Sequence, residues 1–198
     1  MKVEPRRPYR MDSRAQAAAA TGERILDAAV KTFWEMPTDK VSLDEVARRA
    51  GVSVQTVIRR FGGRDGLMAA AGARESERVR RQRDEAPVGD VGAAVRVLVE
   101  HYELMGEPVL RMLAEEVRVP ALSEIADAGR ALHRDWCARV FAPALNGRTD
   151  VDRRRRLAQL VAVCDVYTWK LLRLDAGLSR RQTEIAMAEL LNPMLEES

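Results

Sequence analysis

Four polar side chains that suit nucleic-acid binding cluster near the end of the first third of this 198-residue chain: Gln55, Thr56, Arg59 and Arg60. Amide, hydroxyl and guanidinium groups hydrogen-bond the base edges and phosphate oxygens of DNA. Apolar residues recur between them at the spacing of one helical face, namely Val54, Val57, Ile58 and Phe61. The pattern predicts a short helix that buries one face and presents a polar, basic face.

A second short helix precedes this one, and a tight turn joins the two. Ser42 and Glu45 have the spacing of a capping box, in which each side chain bonds to the backbone N–H of the other residue. Gly51 stands where a helix often ends in the left-handed conformation, and Ser53 can cap the following helix. The sequence therefore predicts a helix-turn-helix whose second helix can enter a DNA major groove.

This hairpin has two possible functions. Helix–glycine–helix hairpins also occur in ordinary helical bundles, including interaction or scaffold proteins that do not bind DNA. The polar face has no other evident use, which favours DNA binding. A strong salt dependence of DNA affinity would separate the two interpretations.

The stretch from Glu23 to Leu67 resembles the DNA-binding domain of the TetR/AcrR family of one-component regulators. The matching residues are Arg24, Ile25, Leu26, Ala28, Ala29, Phe33, Ser42, Val46, Ala47, Ala50, Gly51, Val52, Ser53, Thr56, Phe61, Arg64, Asp65 and Leu67. The resemblance implies a homodimeric regulator of transcription, in most members a repressor, that binds an inverted repeat in double-stranded DNA. It also implies release by a small-molecule effector, which the sequence does not identify.

The residues to which this resemblance assigns DNA contacts are Ser42, Ser53, Val54, Gln55, Thr56, Arg59, Arg60 and Arg64. Arg64 stands where the family usually has a phosphate-binding lysine. Gln55 stands where the family often has a small residue, and glutamine can pair bidentately with adenine, so Gln55 is our first candidate for base readout. Val54 either joins the core or touches a thymine methyl group. Ile58 replaces a tyrosine that commonly contacts phosphate in the family, a contact that a neighbouring arginine would have to supply.

Helical spacing of apolar residues continues through most of the chain, which predicts an all-α fold of about nine helices. We expect three regions: a disordered basic arm over 1–20, a helix-turn-helix DNA-binding domain over 21–66, and an effector-binding and dimerisation domain over 67–198. The helices of the last region are predicted at 90–106, 108–118, 121–143, 150–176 and 180–196. The arm carries several arginines, and it either enters a minor groove or serves only to solubilise the chain.

Composition restricts the function further. The net charge is only +3, but the pI of about 9.1 and the clustering of arginines around the helix-turn-helix suit a polyanionic partner. The sequence has no apolar run long enough to span a membrane and no secretory signal, so we expect a cytoplasmic protein that does not contact membranes. Cys137 and Cys164 are interpreted as buried apolar residues, with a redox pair or an effector-reactive thiol as the alternative.

The C-terminal region supplies parts for a dimer and an effector pocket, as the resemblance implies. The last two predicted helices carry wide apolar faces, which favours a homodimer through them. The candidate pocket residues are His101, Tyr102, Met105, Met112, Trp136, Phe141, Asp165, Tyr167 and Trp169. Each apolar or aromatic member is alternatively an ordinary core residue. Asp165 either anchors a ligand or pairs with an arginine of the second subunit.

Catalysis is not expected. His101 and His133 are the only histidines, and their neighbours do not form a nucleophile–base arrangement. The sequence also lacks a glycine-rich phosphate loop and any cluster with metal-ligand spacing, so neither a cofactor nor a metal is predicted. Activation of transcription, rather than repression, remains an open alternative.

Overall fold

A computed structural model describes residues 8–37 and 40–196, and all their regular secondary structure is helical. The chain divides into two compact units, Met1–Ala73 and Arg74–Ser198. The sequence had suggested a boundary after residue 66. The helices are α1 (Pro8–Glu35), α2 (Leu43–Ala50), α3 (Val54–Phe61), α4 (Arg64–Arg83), α5 (Val91–Glu115), α6 (Pro120–Val140), α7 (Ala142–Leu145), α8 (Asp150–Val163), α9 (Val166–Lys170) and α10 (Arg180–Glu196).

The first helix is longer than predicted. It begins at Pro8, so the expectation of a disordered arm is wrong for residues 8–20, while residues 1–7 lie outside the described part of the chain. The run of alanines from Ala17 to Ala20 explains the difference, because alanine has the highest helix propensity and extends the helix that the apolar stripe of α1 starts.

The first unit is built on a small core that α1, α2, α3 and the start of α4 share. Its fully buried members include Ile25, Val46 and Val57, with Leu67 from α4 also buried. These residues recur at helical spacing within each helix, so one stripe of each helix faces the common core.

The second unit packs α5–α10 around one larger core, with α5 at its centre. Leu98 and Val99 of α5 are fully buried against Leu160 of α8 and Leu191 of α10. A helix that is apolar nearly all round needs neighbours on several sides, and α5 contacts α6, α9 and α10.

The predicted break at Gly106 and Pro108 is absent, since α5 runs without interruption from Val91 to Glu115 with Pro108 inside it. Gly106 serves packing instead. A β-carbon at this position would overlap the ring of Trp169, so glycine permits α9 to lie directly against α5.

The single helix predicted over 150–176 is instead two helices. Cys164 ends α8, and the Asp165 carboxylate accepts a hydrogen bond from Tyr167 N at 2.9 Å to start α9. A π-helical turn, Leu171–Asp175, follows α9 directly. The helix predicted over 121–143 is also divided, at Phe141.

We predict that Gly106→Ala destabilises the second unit. The added methyl group must displace the buried Trp169 ring, and overpacking of this kind costs about 1–3 kcal/mol, more than the helix-propensity gain of about 1 kcal/mol. Gly129→Ala is the matched control, because nothing lies within 4 Å of a β-carbon there. It should stabilise α6 by about 0.5–1 kcal/mol. Urea unfolding monitored by circular dichroism measures both changes, and equal stabilisation by the two alanines would contradict the close approach.

Candidate nucleic-acid interface

One of the two hydrogen bonds of the predicted capping box forms at the start of α2. The Ser42 hydroxyl accepts a hydrogen bond from Glu45 N at 3.2 Å, as predicted. The reciprocal bond from Glu45 is replaced by ion pairs, because its carboxylate binds the guanidinium groups of Arg48 and Arg49. The two arginines lower the pKa of Glu45 to about 2, so the carboxylate stays ionised.

These ion pairs change the charge expected around the helix-turn-helix. Arg49 also binds Glu35 of α1, so Arg48 and Arg49 are engaged within the unit. They therefore add less to the positive potential than the sequence suggested, and the basic side chains of α3 become more important.

The turn between α2 and α3 has the predicted geometry. Gly51 adopts φ 65° and ψ 39°, a left-handed conformation that side-chain-bearing residues rarely adopt. The Ser53 hydroxyl then caps α3 by accepting from Thr56 N at 3.3 Å, and it lies 2.9 Å from the Thr56 hydroxyl. Ser53 and Thr56 are thus held together at the first turn of α3.

One face of α3 is fixed in the core. Val57 is completely buried, and Val54 and Phe61 pack partly against the same cluster. Val54 thus contributes to the core, while its contact with a thymine methyl group stays a prediction. Ile58, which replaces the family's tyrosine, is 38% exposed.

The opposite face of α3 presents the predicted polar side chains. Gln55 and Arg59 are exposed and lie one turn apart on the same face. Within the described residues, neither forms a hydrogen bond or ion pair. Arg60 is also exposed, but its guanidinium lies against Gly22 of α1 and 6.0 Å from the Phe61 ring. Gln55 and Arg59 are therefore the side chains most available to DNA.

Two candidate phosphate ligands lie close together beside α3. Arg64, the first residue of α4, donates from Nε to Val41 O at 3.2 Å. Val41 immediately precedes the cap residue Ser42, which is exposed. The bond ties the start of α4 to the start of α2 and brings the predicted contacts Ser42 and Arg64 to one edge of the unit.

The candidate pocket residues of the second unit fall into two groups. Tyr102, Trp136, Phe141 and Trp169 are buried in one core, and His101 and Met105 are buried beside them on α5. The remaining candidates are elsewhere: Met112 is half-buried, Tyr167 is 53% exposed, and Asp165 caps α9. The candidates therefore do not all lie together, and whether the buried aromatic group takes a ligand stays a prediction.

Arg83 is a polar core residue that sequence reasoning missed. It lies at the end of α4 and is 4% exposed, with its guanidinium over the rings of Trp136 and Tyr102. Its backbone carbonyl accepts from Trp136 Nε1 at 2.9 Å and from Arg139 at 3.2 Å. No local signal in the sequence could have found it, because Arg83 is the last residue of α4 and follows exposed arginines on the same helix.

Both cysteines are free and buried, as predicted. A hydrogen bond with the Cys164 thiol, followed by one with His133, lowers the pKa of Cys137. The same bond and burial raise the pKa of Cys164. Nearby, burial and then the charges of Arg83 and Arg78 lower the pKa of His101 to about 3, which keeps His101 neutral at neutral pH.

None of the helices described in residues 8–37 and 40–196 is both long and apolar enough to cross a membrane.

Comparison with known proteins shows which proteins share this helix-turn-helix. The sequence model described as "Bacterial regulatory proteins, tetR family" matches residues 25–71, which hold α2, α3 and the surrounding core. The HTH-type transcriptional regulator Mb2274c of Mycobacterium bovis is 32% identical over 156 residues, covering 76% of this chain and 81% of the relative. The HTH-type transcriptional repressor KstR of Rhodococcus jostii is 28% identical over 196 residues, covering 93% of this chain and 85% of KstR.

A solved structure has the same fold along most of the chain. The SmeT–triclosan complex aligns with a TM-score of 0.64 at 19% identity, covering 88% of this chain and 91% of SmeT. Together with the sequence relatives and the helix-turn-helix geometry, it leads to one conclusion: this chain belongs to the tetR family of bacterial transcriptional regulators.

Proposed function

We propose that the chain is a repressor that binds an inverted-repeat operator as a homodimer and leaves it when a small molecule binds the second unit. The observation that carries the proposal is the α3 surface, where Gln55 and Arg59 are exposed without partners among the described residues while Val57 anchors the helix. Side chains held on a rigid helix with free hydrogen-bonding groups suit direct readout of a major groove.

The interface residues divide into two roles. Gln55 reads a base, because its amide can both donate to and accept from adenine, and Arg59 binds guanine or phosphate. Ser42 and Arg64 bind phosphate at the edge of the unit and fix the register of the protein on DNA. Ser53 and Thr56 at the first turn of α3, and Arg60 at its last turn, add contacts to the DNA phosphate backbone.

The dimer forms through the C-terminal helices. Several large apolar side chains of this segment are exposed in the single chain, namely Tyr167, Leu171, Leu174, Ile185 and Leu190. Exposed apolar groups concentrated on neighbouring elements favour an interface with a second copy. Leu191 belongs to the chain's own core instead, because it is fully buried.

Small-molecule control is proposed from the relatives and from the composition of the second unit. KstR is a repressor by name, and SmeT has been solved with triclosan. The aromatic cluster of the second unit is suited to an apolar ligand. The chain passes from the first unit to the second within α4, so ligand and DNA affinities are expected to be coupled through this helix, typically by about 1–3 kcal/mol and reciprocally.

Base readout by Gln55 has a direct test. Gln55→Ala should cost about 1–3 kcal/mol and relax preference at a single base pair of each half-site, whereas Arg64→Ala should weaken all sequences alike and reduce the salt slope by about 1. Fluorescence anisotropy with operators altered one base pair at a time measures both effects. Gln159→Ala, an exposed glutamine on α8, is the control and should change nothing. A uniform loss with Gln55→Ala would remove Gln55 from base readout.

Dimerisation is tested separately. Leu171→Glu and Ile185→Glu should produce monomers at micromolar concentration in sedimentation velocity, because a charge buried in an apolar interface is strongly unfavourable. Val117→Glu places the same charge at a side chain that is 92% exposed and should leave the dimer intact. A wild-type monomer, or dimers in all three variants, would rule out this interface.

A further inference from the structure

Arg83 is a buried cation that pairs with no carboxylate among the described residues. Its Nη1 lies 2.7 Å from His133 Nδ1, and its Nη2 donates to the Tyr102 hydroxyl across 3.4 Å. Among residues 8–37 and 40–196, Nε finds no hydrogen-bond acceptor and the guanidinium forms no ion pair. An unpaired charge inside a protein is strongly unfavourable, so a group retained in this state needs an explanation.

The unused hydrogens lie on one edge of the guanidinium. Nε and Nη2 share the edge that binds the two oxygens of a carboxylate side by side. The Nε hydrogen is unpaired and the Nη2 bond to Tyr102 is long, so a carboxylate could take this edge without breaking the short bond to His133.

The two histidines near Arg83 do not neutralise it. His133 must accept at Nδ1, because a guanidinium only donates, and its Nε2 then donates towards Val161 O at 3.2 Å. His101 is kept neutral by burial and by the positive charge of Arg83. The Cys137 sulfur lies 3.9 Å from His133 Nε2.

The walls of this site are aromatic. The guanidinium carbon is 5.4 Å from the centre of the Trp136 ring and 5.8 Å from that of Tyr102. Phe141 packs edge-on against Trp136 at 6.0 Å, and Trp169 lies 5.9 Å from Tyr102. The apolar part of a ligand bound beside Arg83 would therefore contact aromatic rings on several sides.

We propose that Arg83 is the receptor for the carboxylate of the effector, which is therefore an anion with an apolar, preferably aromatic, body. The inference rests on the proposed function in assuming that the second unit binds an effector. Pairing with the carboxylate would relieve the cost of the buried charge. Because Arg83 is the last residue of α4, binding of the carboxylate acts directly on the end of this helix.

The test compares matched carboxylates and amides on the full chain without DNA. Isothermal titration calorimetry is run with 1-naphthoate against 1-naphthamide and with octanoate against octanamide. We expect at least one carboxylate to bind tenfold or more tightly than its amide. No preference for the carboxylate in either pair would overturn the proposal.

Substitutions assign the preference to Arg83. Arg83→Met should abolish it, whereas Arg80→Met, on the exposed side of the same helix, should preserve it. Without ligand, Arg83→Met should melt no lower than the wild-type protein if Arg83 serves a ligand rather than the core. If that variant does not fold, Arg83→Lys, which keeps the charge but not the two-point edge, should retain a weaker preference, and Arg83→Gln should lose it. A preference that survives loss of the charge would contradict the proposal.

A second readout separates this inference from the proposed function. Release of labelled operator DNA is followed by anisotropy with the same compounds. Arg83-dependent binding without release supports the anion site and contradicts effector-controlled repression. Release by carboxylate and amide alike supports effector control and contradicts the anion site.

Discussion

An eight-residue helix is too short to persist in water on its own, so α3 exists only because it is held by the core of the first unit. Complete burial of Val57, worth about 1.5–3 kcal/mol, fixes the rotation of the helix about its axis. The same burial directs Gln55 and Arg59 outward. The contacts that stabilise the first unit therefore also determine which face of α3 is exposed. The caps at Ser42 and Ser53 and the left-handed turn at Gly51 hold α2 and α3 in this arrangement.

The residues that fixed local geometry were readable from the sequence. Ser42, Gly51 and Ser53 act through their own backbone, so their roles follow from residue type and spacing, and Ser179 with Gln182 forms the full reciprocal capping box that its spacing predicts. The resemblance extended these local signals to a family and its mode of binding. Both helices and the turn between them were therefore predictable.

Errors arose where a distant contact decided the structure. Gly106 and Pro108 resemble a break, but Gly106 accommodates Trp169, more than sixty residues away, and α5 continues. Asp165 differs from these cases, because the role that was missed, the N-cap of α9, is a local one, and its two predicted roles stay predictions. Arg83 resembled a surface arginine because nothing local distinguishes it from its exposed neighbours on α4. Only the fold brings it against Tyr102, His133 and Trp136.

The central claim, that a homodimer reads DNA through α3, is tested most directly by selecting bound duplexes from random-sequence DNA with the wild-type protein at near-physiological salt. We expect enrichment of an inverted repeat whose half-site centres are about one helical turn, roughly 34–36 Å, or a multiple of it apart. Enrichment of a single unpaired element, or no enrichment by a folded dimer, would contradict it.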